Sequence, residues 1–226
     1  MSSLGIERPT KYFTSLEGID FSGKTPVANW LRDELQGRGF DISLTRDPPY
    51  FMSPWDQLYE LFERGEDISH FSEAMLLLTA RVDNYERFIR PSLESGVIVI
   101  SDRFLDSWFA YQSIRLARYF GTSDDALKFL IDLNESLVKR GLLSYPDRTL
   151  LIDMEPEVAM RRALDAHKLS KYEVIETQEK VANQYRKIQE MFPDRITLID
   201  ARGIEVPEVY ERAKEIVLQE LGELGK

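Results

Sequence analysis

Cysteine is absent from this 226-residue chain, and histidine occurs only twice. The first absence excludes disulfide frameworks, thiol nucleophiles and cysteine-ligated zinc or iron–sulfur centres. His70 and His167 lack a clustered set of metal ligands, and no Ser/His/acid arrangement for nucleophilic catalysis is indicated. Long apolar runs are missing too. The longest, Ala74-Met75-Leu76-Leu77-Leu78, is far too short to span a bilayer. The opening residues 1–9 lack the apolar stretch of a signal peptide, so a cytoplasmic protein without membrane partners is expected. Positive charge is in deficit, with 29 Lys and Arg against 39 Asp and Glu and a net charge of -10. That balance argues against DNA or RNA polymers and anionic membranes as partners. No Ser-, Gly- or Pro-rich linker, repeat or low-complexity tract divides residues 1–226, which read as one domain.

What is present is rhythm. Apolar strand-like runs fall at 12–16, 40–45, 97–101, 149–153 and 196–200. Amphipathic helical stretches separate them, roughly at 25–36, 69–94, 107–119, 124–140, 156–166, 172–191 and 207–221. Near-continuous apolar strands such as Val97-Ile98-Val99-Ile100 suit a parallel sheet covered on both faces. Strands alternating with crossover helices predict a three-layer α/β fold.

The first strand runs into Gly18-Ile19-Asp20-Phe21-Ser22-Gly23-Lys24-Thr25 and then a helix. This is the setting in which G-x-x-x-x-G-K-T forms a phosphate-binding loop, with backbone N–H groups and the helix dipole facing phosphate oxygens. Lys24 supplies a movable positive charge for the β- and γ-phosphates, and the Thr25 hydroxyl is placed to ligate Mg²⁺. Pro26 is tolerable in the first helical turn, although it biases Thr25 away from helical dihedrals.

Two further motifs follow strands, where α/β proteins place ligands. Asp102-Arg103 offers a carboxylate for Mg²⁺, directly or through water, and a guanidinium for a phosphate. Arg46-Asp47-Pro48-Pro49 offers another guanidinium, or simply a charged cap on a strand. Leu77 and Arg81 share a helix face, either lining a base pocket or packing against a neighbour with the charge turned outward. Trp108, Tyr111 and Gln112 form a similar cluster, where an aromatic is more often core than ligand wall. The charged segment 167–173 is a lid or a solvated turn.

Taken together, these motifs resemble the thymidylate kinases of the P-loop nucleoside-monophosphate kinase superfamily. The likeness extends through Leu16-Glu17-Gly18, Thr45-Arg46-Asp47-Pro48, Ala80-Arg81, Ser101-Asp102-Arg103-Phe104, Ala110-Tyr111-Gln112, Tyr145-Pro146-Asp147, Leu151-Ile152-Asp153 and Ile199-Asp200-Ala201. It implies a P-loop fold with a five-stranded parallel sheet and short lid, ATP as co-substrate, Mg²⁺, dTMP or a related nucleoside monophosphate as acceptor, and a homodimer. It also assigns roles. Gly18, Phe21, Ser22, Gly23, Lys24 and Thr25 would cradle the donor phosphates, and Thr25 and Asp102 would serve the metal. Asp20 would lie near the acceptor sugar and phosphate, Arg103 would hold that phosphate, and Arg46 would assist. Arg81, Leu77, Trp108, Tyr111 and Gln112 would bound the acceptor nucleoside. Arg161 or Arg162 would approach the adenine, with Lys168 and Lys171 in the lid.

The chain departs from the family pattern at Leu77, where Phe is frequent, and at Trp108, where a small polar residue is frequent. Arg-Glu-Pro-Gly-Gly has become Arg46-Asp47-Pro48-Pro49-Tyr50, and Pro26 replaces Thr or Ser. Two other readings stand beside this one. A deoxynucleoside kinase would need a carboxylate base such as Glu17 to activate a neutral hydroxyl. A non-catalytic nucleotide-binding regulator would fit the altered acceptor motif.

Overall fold

The computed structural model describes residues 11–63, 68–165 and 175–222. Its sheet has five parallel strands, β1 (Phe13–Glu17), β2 (Ile42–Arg46), β3 (Ile98–Asp102), β4 (Arg148–Asp153) and β5 (Ile196–Asp200), in the spatial order β2-β3-β1-β4-β5. Every residue of β1 and β3 is buried, as expected of central strands covered by helices on both faces.

The strands are linked by α1 (Lys24–Gly37), α2 (Asp56–Glu63), α3 (His70–Asn84), α4 (Arg90–Glu94), α5 (Leu105–Phe120), α6 (Ser123–Val138), α7 (Pro156–Asp165) and α8 (Ile175–Met191), and α9 (Val206–Glu220) follows β5. In α1 the buried residues Val27, Ala28, Leu31 and Leu35 recur at helical spacing and form one apolar stripe. The predicted three-layer α/β architecture and its five strands are therefore present, with strand limits moved by at most two residues.

Two details differ from the sequence expectation. The helix predicted over 69–94 is α3 and α4 joined by a π-helical turn, Tyr85–Ile89. Helix α2 was not anticipated, because its eight residues follow a Pro- and Ser-containing stretch that reads as loop. The expected lid at 167–173, with His167, Lys168 and Lys171, lies outside the described residues. No helix among the described residues is long and apolar enough to cross a membrane.

What matters for a site is the carboxyl edge of the sheet. There Leu16 of β1 pairs with Asp102 of β3, and Asp102 in turn pairs with Arg46 of β2. On the other side of β1, Glu17 pairs with Leu151 of β4. From β1 the chain runs out to β2 on one side, and after β3 it crosses to β4 on the other side of β1, so the loop after β1 lies at the switch point where such folds bind ligands.

Candidate active site

The loop between β1 and α1 has the shape a phosphate cradle needs. Gly18 adopts φ 141°, and a Cβ there would sit 2.5 Å from the Ile152 carbonyl oxygen, so only glycine fits between β1 and β4. Gly23 precedes α1 at φ 100°. Helix α1 closes normally over Pro26, since the Val27 N–H reaches the Gly23 carbonyl at 3.2 Å. The missing proline N–H is one of the first-turn donors that no helix satisfies internally. Lys24 is buried and donates to the Ile19 carbonyl and, at 3.2 Å, to Ser22 Oγ. Burial first, and then the nearby Arg103 cation, depress its ammonium to about 7.

Thr25 and Asp102, 77 residues apart in sequence, meet at 2.5 Å between Oγ1 and Oδ2. Two hard oxygen donors thus stand beside the loop, a donor set suited to Mg²⁺.

Asp20, Arg103 and Tyr111 also come together. Arg103 Nη2 pairs with Asp20 Oδ1, and its guanidinium lies 5.3 Å from the Tyr111 ring centroid. Tyr111 OH donates to Asp20 Oδ2 at 2.9 Å. Burial pushes the Asp20 carboxyl upward, but Arg103, Lys24 and the bonds from Tyr111 and Gln178 prevail and hold it below its ordinary value. Burial opposes charge on Arg103 as well, yet Tyr111 and Asp20 beside it raise its pKa well above the usual guanidinium range. The residue itself takes a left-handed backbone, φ 68°, which a bulky side chain adopts only when its surroundings fix it. Those surroundings include its N–H on the Leu16 carbonyl at 3.0 Å and its carbonyl accepting from Ser101 Oγ at 2.5 Å.

Arg81 is buried and ion-paired with buried Asp47, its Nε 2.6 Å from Oδ2. Its guanidinium lies 5.3 Å from the Trp108 ring and 5.6 Å from Phe104. One Arg81 nitrogen, Nη1, and one Asp47 oxygen, Oδ1, remain buried without partners among the described residues, as does Gln112 Oε1. Trp108 is buried too, and its indole N–H donates to the Ala74 carbonyl at 2.9 Å, tying α5 to α3. Leu77 is half-buried and packs on the core.

Other expected residues sit apart from this cluster. Arg46 is exposed, with its guanidinium 5.9 Å from the Tyr50 ring. Arg161 and Arg162 lie on α7; the former is exposed, while Nη1 of the latter is buried without a partner among the described residues. Sequence reasoning missed the contribution of α8. Its Gln178 accepts from the Asp20 N–H at 3.2 Å and donates to Asp20 Oδ2 at 3.0 Å. Its Arg186 grips Asp153, the last residue of β4, at 2.9 and 3.2 Å. Tyr185 joins Ser107 at Glu17, whose carboxylate faces inward and accepts from the Phe104 N–H at 2.7 Å. The sequence carried no sign of these partners beyond the apolar stripe that docks α8.

Chemically, the edge combines a phosphate-binding loop, a lysine, a hydroxyl–carboxylate pair for a divalent cation, and a fixed arginine beside a carboxylate. Comparison with known proteins identifies relatives along nearly the whole chain. A family model described as thymidylate kinase matches residues 16–211. A probable thymidylate kinase of Thermococcus kodakarensis is 34% identical over 221 residues, covering 93% of this chain and 99% of that protein. One from Methanosarcina acetivorans is 33% identical, covering 88% and 91%. The thymidylate kinase of Caulobacter vibrioides is 34% identical, covering 93% and 98%. With the family model matching residues 16–211 and relatives of 33–34% identity covered over nearly their whole length, the chain belongs to the thymidylate kinase family of P-loop nucleoside-monophosphate phosphotransferases.

Proposed function

We propose that this crevice moves the γ-phosphoryl group of ATP onto the 5′-phosphate of dTMP, giving dTDP and ADP. The observation that carries the reading is the Asp20–Arg103 pair held beside the phosphate-binding loop. It puts a cation for an anionic acceptor within reach of the donor phosphates. In the transfer, an acceptor phosphate oxygen forms a bond to the γ-phosphorus while the bond to the β-bridging oxygen breaks. The acceptor is already an anionic nucleophile, so the protein has to align groups and balance charge, and needs no base.

Lys24 serves the donor side. An anion beside a lysine raises its pKa, so polyphosphate favours the charged form of a group that burial depresses to about 7. Thr25 and Asp102 would hold Mg²⁺, which neutralises charge on the donor phosphates; protein sites commonly leave the remaining ligands of that ion to phosphate and water. Arg103 grips the acceptor phosphate, and Asp20 and Tyr111 keep the arginine aimed. Arg81, Leu77, Trp108 and Gln112 border the acceptor base in this reading. Arg46 assists at its phosphate, while Arg161, Arg162 and Lys168 belong to the ATP side.

The inward-facing Glu17 carboxylate speaks against a nucleoside kinase. Its oxygens accept from Phe104, Ser107 and Tyr185, so it does not act as the base that a neutral hydroxyl acceptor would require. The proposal includes a homodimer in the cytoplasm. Exposed Phe71 and Tyr119, their ring centroids 6.4 Å apart, provide apolar surface that fits such an assembly.

The test is a screen of nucleosides and nucleoside monophosphates with ATP and Mg²⁺. Turnover of dTMP, with little of other monophosphates or of thymidine, is expected. Preference for thymidine over dTMP would sink the proposal.

A further inference from the structure

Arg103 is held from two sides. Asp20 takes Nη2. On the other side Nη1 donates to the Gly18 carbonyl at 3.2 Å, to Ser107 Oγ at 3.0 Å and to Tyr185 OH at 3.4 Å. The two hydroxyls lie 2.8 Å apart and both lean on Glu17. Ser107 donates to Glu17 Oε2, Tyr185 donates to the same oxygen at 3.1 Å, and the Phe104 N–H occupies Oε1 at 2.7 Å. Three elements, β1, α5 and α8, therefore meet at one fully buried carboxylate.

An ionised carboxylate accepts hydrogen bonds and donates none. It consequently draws the Ser107 and Tyr185 protons inward and turns the remaining lone pairs of both oxygens toward Arg103. We propose that Glu17 is a positioning residue for the acceptor-phosphate arginine, setting the polarity of the Ser107 and Tyr185 hydroxyls and through them the orientation of the guanidinium. The inference rests on the assignment of Arg103 to the acceptor phosphate made above.

The isosteric change Glu17→Gln isolates this polarity from packing. The Phe104 N–H requires an acceptor, so the amide oxygen takes the Oε1 position and the NH₂ group falls opposite the hydroxyls. Ser107 and Tyr185 must then accept from that NH₂ group, and at least one of their protons turns toward Arg103, which has only protons to offer. A role confined to stability would lower the folded fraction without singling out one substrate.

The experiment compares the parent, Glu17→Gln, Ser107→Ala and Tyr185→Phe at pH 8 by steady-state kinetics, with thermal melting to confirm folding. In Glu17→Gln the KM for dTMP should rise about tenfold or more, while the KM for ATP stays within about twofold. Ser107→Ala and Tyr185→Phe should each raise the dTMP KM by about threefold, since each removes a single acceptor. Competitive inhibition by thymidine, which lacks the phosphate, should be unchanged. A folded Glu17→Gln protein with unaltered dTMP KM, with equal rises in both KM values, or with a loss in kcat alone would overturn the proposal. If that variant does not fold, the hydroxyl variants decide: a selective rise in either supports the relay, and none in both overturns it. A parent protein that turns over no nucleoside monophosphate would instead defeat the functional reading itself.

Discussion

In the proposed reaction Arg103 and Lys24 divide the labour of the site, and their surroundings suggest how. Arg103 is locked by Asp20, Gly18, Ser107 and Tyr185, so it presents a fixed charge to whatever anion arrives. Lys24 rests on a loop carbonyl and a serine hydroxyl, with no carboxylate bonded to it among the described residues, and in the proposal it serves the donor phosphates. Truncating each should therefore harm different parameters. Lys24→Ala should lower kcat by about 10²–10³-fold with little change in the dTMP KM, as expected when a donor to the transition state is lost. Arg103→Ala should raise the dTMP KM by about tenfold or more while the ATP KM holds. Initial-rate kinetics on both variants check this, and two variants with parental activity would refute the site. The sequence motifs singled out Asp20, Lys24, Thr25, Asp102 and Arg103 because each belongs to a local pattern with its own chemistry, and the fold brings them to one edge of the sheet. Tyr185 and Gln178, and the contacts that Glu17 makes, were hidden for the opposite reason. Glu17 and Tyr185 are 168 residues apart, Asp20 and Gln178 are 158 apart, and periodicity reveals a buried face without naming its polar partners.

Among the elements, the strands were the most legible, because a continuous apolar run such as Ile98-Val99-Ile100 in β3 stands out from amphipathic helices. The π-helical turn at Tyr85–Ile89 has no such signature, since one extra residue in a turn leaves the local composition unchanged. Trp108 illustrates what a helix pair adds to a sequence reading. From the sequence it is core or ligand wall; in the fold it is buried, bonded to Ala74 of α3, and placed against the Arg81 guanidinium. Its first consequence is thus cohesion between α3 and α5. Trp108→Ala should destabilise the protein by about 3–5 kcal/mol, the usual range for a truncated core aromatic. Chemical denaturation measures it directly. A variant as stable as the parent would show that the indole fills no structural role, leaving the base pocket as its whole purpose.

For the whole molecule, placing charge inside the sheet edge ties stability to pH. Glu17 has an ordinary value of 4.5, raised to about 7 chiefly by burial and then by the neighbouring Asp106 carboxylate. Asp106 is itself anchored by a bidentate Arg195 at 2.7 and 2.7 Å. Between pH 4.5 and 7 the folded protein holds the Glu17 proton more often than the unfolded chain does, and stability contributed by this group is lost as pH rises. Lys24 behaves in the opposite sense over the adjoining window. Its value falls from 10.5 to about 7, so above pH 7 the unfolded chain holds more protons and stability climbs again. The two groups together put a minimum in their joint contribution near pH 7, the range where the proposed chemistry needs both charged. Glu17→Gln removes the first limb alone. Relative to the parent, its unfolding free energy should gain up to about 3 kcal/mol as pH is raised from 4.5 to 7, added to a constant offset from the lost hydrogen bonds. Above pH 8 the difference should level off, because Glu17 is ionised in both states there. Urea titrations of both proteins at intervals from pH 5 to 9 measure the difference curve. A flat curve across the lower window would mean that Glu17 titrates no differently in the fold than in the open chain, and the link between its burial and the loss of stability with rising pH would be refuted.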